Sequence, residues 1–200
     1  MNVLAIDTSG SHLTVMIKKG EETVVNHNIN AGLKHSVTLL TEVDVALSKS
    51  NLALSDIDVF CAVTGPGSFT GLRIGVSTVK AFAYAFLKKV LSVTSFDTIA
   101  YDSEEEKVLA VIDARHGNYY ACGYTNKQIS LSPCFISEEE LNALAKEYKI
   151  LTLENANILS GLEKAVASKL SDASCDRESI VPLYVKKSQA EEEADAKKLD

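Results

Sequence analysis

Hydrophobic and polar positions alternate in two different rhythms along this chain, and the change of rhythm marks its elements. Val3 to Asp7 is a short apolar run closed by the turn-forming cluster Thr8 to Ser11. Leu13 to Ile17 reads as a second strand. The polar turn Lys18 to Glu21 then leads to a third, around Thr23 to Ile29. From Ser36 the period lengthens: Val37, Leu40, Val43 and Leu47, flanked by Leu39 and Ala46, repeat at helical spacing to about Lys49. Ile57 to Val63 is a buried-type strand. Beyond a Gly/Pro loop, a helix runs from about Leu72 to Leu87 with apolar or small residues on nearly every side.

No internal repeat or low-complexity segment stands out along the chain. Val90 to Val93 predicts a strand, and Ser95 caps a short helix through Tyr101. The charged stretch Asp102 to Lys107 divides the chain into 1–102 and 103–200. Strands follow at Val108 to Asp113, Tyr119 to Thr125 and Ile129 to Phe135. Ser137 with Glu140 three residues later is a capping-box pattern opening a helix to about Tyr148. Ile150 to Leu153 then reads as a strand and Ile158 to Leu170 as a helix. The order βββαβαβα followed by βββαβα predicts an α/β protein with a mixed sheet in each half.

Composition narrows the function. At 46% hydrophobic and 24% charged residues, the chain is that of an ordinary globular protein. It holds no apolar run of about 18 residues that would span a membrane, and its first residues lack the pattern of a signal peptide. Cys61, Cys122, Cys134 and Cys175 are scattered without a C-x-x-C pair, which fits a reduced, cytoplasmic setting. His12, His27, His35 and His116 have no zinc-ligand spacing. The net charge of −7 and the acidic stretch from Ala190 disfavour a direct grip on nucleic acid.

The most informative segment is TGPGSFTGLRIG, Thr64 to Gly75, set between a strand and a helix. It is not a Walker A loop, because Leu72 and Arg73 follow Gly71 where Lys and Ser/Thr are required. It is not a dinucleotide fingerprint, because Thr70 stands where glycine is needed. Nor does it carry the spacing of a nucleophile elbow. The plain reading is a strand-to-helix turn in which Gly65, Pro66 and Gly67 serve geometry and Gly71 and Gly75 allow close packing.

The segment VTGPGSFTGLRIGVSTVKAFA nevertheless closely resembles the hallmark of the TsaB (YeaZ) family: Gly65, Pro66, Gly67, Ser68, Phe69, Thr70, Gly71 and Arg73. The resemblance extends to LAIDTS near the start, KHSVTLL (Lys34 to Leu40), VIDARHGNYYAC (Val111 to Cys122) and PLYVKKSQAE (Pro182 to Glu191). Asn118 stands where many relatives carry glutamate, and Lys186 where arginine is common. The resemblance implies an actin-like, sugar-kinase/Hsp70-like two-lobed fold with a reduced second lobe. It also implies a non-catalytic role beside a larger homologue, TsaD, with the ATPase TsaE in the same complex, in forming threonylcarbamoyl-adenosine at position 37 of tRNA. On this reading tRNA is reached only indirectly, and the isolated chain is a homodimer. The chain alone would hold no cofactor, a nucleotide entering only in the complex.

Individual residues admit two readings each. Asp7, Thr8 and Ser9 are a vestigial phosphate loop or a hairpin turn held by their side chains. His35 is a base or ligand, or a residue of capping and packing. Asp113 and Arg115 form a charged pair beside a cleft or a structural hydrogen bond. Arg73 binds an anion, or serves a salt bridge or partner contact. For association, the apolar surfaces of the two helices in the first half predict an interface through His35, Leu39, Val43, Leu72, Val79, Phe82 and Phe86, giving an isologous dimer; the alternative is that both helices are simply core. The competing class is a small actin-like nucleotide-binding enzyme, which would need a catalytic carboxylate and an adenine pocket.

Overall fold

The computed structural model describes residues 1–28 and 35–186, without the side chains of 26–28 and 35. The predicted element order is the one found. β1 (Asn2–Asp7), β2 (Leu13–Lys19) and β3 (Glu22–Asn28) form an antiparallel meander, followed by α1 (His35–Ser50). β4 (Val59–Val63), α2 (Phe69–Ala85), β5 (Lys89–Val93) and α3 (Ser95–Ala100) complete the first half. β6 (Lys107–Asp113), β7 (Asn118–Thr125), β8 (Gln128–Ser137), α4 (Glu138–Leu144), β9 (Lys149–Thr152) and α5 (Ile158–Lys169) make the second.

Among the described residues the strands form two mixed sheets, ordered β3-β2-β1-β4-β5 and β8-β7-β6-β9. In each, a central strand pairs antiparallel with its hairpin partner and parallel with a strand reached through a helix. The charged stretch Asp102 to Lys107 lies between α3 and the start of β6.

The first sheet is buried on both faces, which explains its continuous apolar strands. Leu4, Ile6, Val15, Ile17, Phe60 and Ala62 pack against α1 and α2. Val3, Ala5, Met16, Cys61, Leu91 and Val93 face the other way, into a layer made by α3 and α5. Val108, Ala110 and Tyr124 of the second sheet close that same layer. Helix α4 covers part of the second sheet's far side through Leu141 and Leu144, against Leu109, Val111 and Ala121. A segment beyond α5 then returns along α2. Ser174 bridges Val90, and Ile180 sits wholly buried among first-sheet residues.

Several local expectations are corrected. Thr94, not Ser95, caps α3: its hydroxyl accepts from Asp97 N while Asp97 reaches back to Thr94 N, a full capping box. Helix α2 starts three residues before Leu72, because Ser68 caps it by accepting from Gly71 N. β4 begins at Val59, since Asp58 is tied to Asn2 by its N–H and carboxylate. Helix α4 stops at Leu144, and the chain turns until Tyr148, whose N–H bonds Leu144 O.

Candidate functional site: the glycine-rich turn and the cleft beside it

The glycine-rich turn is built to let two pieces of backbone touch. Gly71 and Gly75 lie four residues apart on one face of α2, and Gly67 precedes its cap, Ser68. Any Cβ there would run into the β1–β2 turn: Ser9 O at Gly67, Thr8 O at Gly71 and the Thr8 hydroxyl at Gly75. Hydrogen bonds seal the contact. The Thr8 hydroxyl donates to Gly71 O at 2.7 Å, and Ser68 N–H donates to Ser9 O at 2.6 Å. The turn's upstream end is fixed by Thr64 N–H to Val93 O and Ser95 N–H to Gly65 O, both at 2.8 Å. Gly65 adopts φ of +110°, which glycine alone tolerates well, and the Gly65–Pro66 bond is cis.

Asp7, Thr8 and Ser9 are buried; the Asp7 carboxylate braces the hairpin, while the Thr8 hydroxyl bonds α2 instead. Ser9 N–H donates to Asp7 Oδ1 at 2.8 Å, and His12 Nε2 lies 3.3 Å from Asp7 Oδ2. Burial alone would push the Asp7 carboxyl up. The His12 imidazole and Ser9 outweigh it and hold the carboxyl below its usual range. The hydrogen bond to Asp7 outweighs burial at His12 and raises its pKa.

The other side of the turn faces outward. Phe69 stacks on Tyr184 of the returning segment, with centroids 4.2 Å apart and planes at 12°. Arg73 lies 4.6 Å from the Phe69 ring centre, and its Nε–H donates to Tyr184 OH at 3.2 Å. No carboxylate pairs with Arg73 among the described residues, so the expected salt bridge is replaced by this aromatic clamp. The motif and the C-terminal tyrosine signature thus meet in space. A contact at a separation of 111 residues leaves no periodic signal in the sequence.

Beside the turn, a cleft of about 600 Å³ opens between the two sheets. The β1–β2 turn, the start of α2 and the β6–β7 turn line it. Asp113 and Arg115 do not pair as charges. Asp113 Oδ1 accepts the Arg115 backbone N–H at 2.7 Å, which leaves the guanidinium to the cleft. Arg115, His116 and Gly117 are successively left-handed, with φ of 68°, 55° and 71°, a strained turn for two non-glycine residues.

Four residues of the predicted partner surface are buried. Leu39, Val43, Leu72 and Val79 are at most 2% exposed: the first two and Val79 fill the core against the first sheet, and Leu72 is buried beside Gly65. They are corrected to core residues. Phe82 is half-buried and, with Phe86, packs on Phe60 at 5.6 and 6.5 Å. His35 opens α1, and its side chain lies outside the described residues. The outward apolar positions are instead Val37, 76% exposed, and Leu40, 57% exposed, on α1. On α2 the small residues Ser77, Ala81 and Ala85 form an exposed stripe. The apolar count did signal a surplus, but a helix with so broad an arc does not say which side meets the sheet.

Burial keeps two of the thiols protonated. Burial pushes Cys61 far up and Cys122 up to about 11. No group of three or more potential metal ligands occurs among the described residues, and none of their helices is long and apolar enough to cross a membrane.

Comparison with known proteins adds a family. Residues 28–198 match the model described as TsaD, tRNA N6-adenosine threonylcarbamoyltransferase. The chain is 30% identical over 129 residues to the tRNA threonylcarbamoyladenosine biosynthesis protein TsaB of Bacillus subtilis, covering 64% of this chain and 56% of that protein. It is 33% identical over 128 residues to the protein of the same name from Escherichia coli, covering 62% and 55%. The chain therefore spans about half the length of these relatives. The solved structure of YeaZ from Pseudomonas aeruginosa shares the fold, with a TM-score of 0.75 and 22% identity over 92% of this chain and 99% of that one.

Proposed function

The chain belongs to the TsaB (YeaZ) family, and from that premise we propose that it is a non-catalytic partner in the formation of threonylcarbamoyl-adenosine on tRNA. It works by binding a larger TsaD-type homologue, with the ATPase TsaE in the same assembly, inside the cytoplasm. By itself it forms a homodimer through the surface that TsaD otherwise occupies. Such a partner acts by favouring one arrangement of the catalytic subunit, and its effect is limited by its preference for that arrangement.

The observation that carries this reading is the exposed face of α1 and α2. Val37 and Leu40 are three residues apart and mostly exposed, while Ser77, Ala81 and Ala85 offer a small-residue surface. Small side chains let a second helix approach closely, and an apolar pair beside them supplies the area to bury.

Analytical ultracentrifugation of the chain alone and with a TsaD-type subunit tests the proposal. The expected result is a homodimer that gives way to a one-to-one complex. A monomer that forms no complex would overturn it.

A further inference from the structure

The β6–β7 turn has a second side. Away from the cleft, a cavity of about 570 Å³ opens at the end of the second sheet, between that turn and the residues following β9. Its volume falls in the range of small-molecule sites. Val111 and Tyr119 form its floor, on the sheet face that also meets α4, and Ile112 and Leu153 extend the apolar wall. Three charged side chains stand around it: Asp113, Arg115 and Glu154. Among the described residues none of the three forms an ion pair. The single side-chain hydrogen bond they make is Asp113 Oδ1 accepting the Arg115 backbone N–H. The turn itself is braced. Ala114 N–H donates to Asn118 O at 3.0 Å, Asn118 N–H to Arg115 O at 3.2 Å, and Asn118 Nδ2 to His116 O at 3.0 Å. These bonds hold Arg115 and His116 at φ of 68° and 55°, a backbone state that residues other than glycine rarely adopt. Strain kept in place by its surroundings is a reason to look for a function.

The charge pattern defines the ligand. Two carboxylates at the rim repel an anion, and the guanidinium between them and the cleft repels a simple amine. A metal ion does not suit the site either, because no three potential ligands gather to hold one among the described residues. A molecule that carries both charges answers all three groups. Its carboxylate matches the planar fork of Arg115, which can meet both oxygens at once. Its ammonium lies toward Glu154 and Asp113 Oδ2, the oxygen that the Arg115 N–H leaves open. The apolar floor calls for a hydrocarbon group on the same molecule. We infer that this cavity binds a free α-amino acid with an apolar side chain, its two charges bridging Arg115 to Glu154 and Asp113 and its side chain laid on Val111, Tyr119 and Leu153. The inference stands apart from the partner role and modifies the expectation that the isolated chain holds no ligand.

The test is isothermal titration of the full chain with L-phenylalanine, phenylacetate and 2-phenylethylamine in separate runs. The second lacks the ammonium and the third lacks the carboxylate. L-Phenylalanine is expected to bind in the millimolar range or tighter, and at least about tenfold better than either of the others. Arg115→Asn, which keeps a residue that tolerates the left-handed backbone, should weaken it by roughly tenfold or more. Glu154→Gln should weaken it by about three- to tenfold. Ser11→Ala, in the cleft on the other side of the turn, should change nothing. Thermal melts of each variant establish that it is folded. Absence of L-phenylalanine binding by the folded wild-type chain overturns the proposal. So does binding that Arg115→Asn and Glu154→Gln leave intact, or that Ser11→Ala weakens as much as Arg115→Asn does. Phenylacetate or 2-phenylethylamine binding as tightly as L-phenylalanine overturns it as well.

Discussion

Helices α1 and α2 cover one face of the first sheet, and α3 and α5 cover the other. The two pairs have similar apolar content and opposite fates. Every residue of α3 is buried, because a second sheet closes over it. Within that inner layer the buried Asp97 carboxylate is paired at both oxygens. Its Oδ2 accepts from Thr94 N–H, the Thr94 hydroxyl and Lys169 Nζ, while Oδ1 accepts from Tyr124 OH. The hub therefore ties α3 to β7 and α5. The outer pair has no second sheet, and Val37 and Leu40 remain exposed. A layer closed on both sides buries every side chain of α3, and a layer closed on one side leaves Val37 and Leu40 exposed.

The sharpest way to break the inner layer is Asp97→Ala. It strands the Lys169 ammonium and the Tyr124 hydroxyl, and should cost about 3–5 kcal/mol in urea denaturation. Next comes Gly161→Ala, whose Cβ would collide with Thr98 O where α5 crosses α3; about 1–3 kcal/mol is expected in the same experiment. On the outer pair, Leu40→Asp should shift stability by no more than about 0.5 kcal/mol yet abolish self-association in sedimentation. Equal stability losses at Leu40 and Asp97 would erase the contrast.

The smallest effect concerns pH. The raised His12 pKa adds stability in full below its ordinary value of 6.5, and that share fades as pH rises through the raised value. The lowered Asp7 pKa adds stability above its ordinary value of 3.8, fading as pH falls through the lowered one. The pair therefore contributes most between those ordinary values. His12→Asn should narrow the stability difference between pH 5 and pH 9, measured as urea midpoints.

The order of elements was legible because each strand and helix carries its own short-range period. Even Ser137 and Glu140 announced their cap, and so, unread, did Thr94 and Asp97. Ser95 next to Thr94 hid that second box, since both residues are good caps. What the pattern could not show was direction. Leu39 and Val43 look as sticky as Val37 and Leu40, and only the position of the sheet decides that the first two are core. The glycines of the turn were recognised, but their collision partners, Thr8 and Ser9, lie some sixty residues earlier. The cleft was the least legible part, because serines and threonines at 11, 70 and 95 are unremarkable until the fold gathers them.

The returning segment also sets a timetable. Arg177 bonds Ala83 O and Lys88 O, Glu178 grips Lys80 and Tyr84, Ile180 enters the core, and Tyr184 closes on Phe69 and Arg73. On the ribosome α2 emerges about a hundred residues before these partners exist, and domains fold as they appear. The nascent first half must therefore wait with an unfilled place for Ile180 and a bare Phe69. During that interval the nascent chain leaves open the place that Ile180 fills in the finished protein.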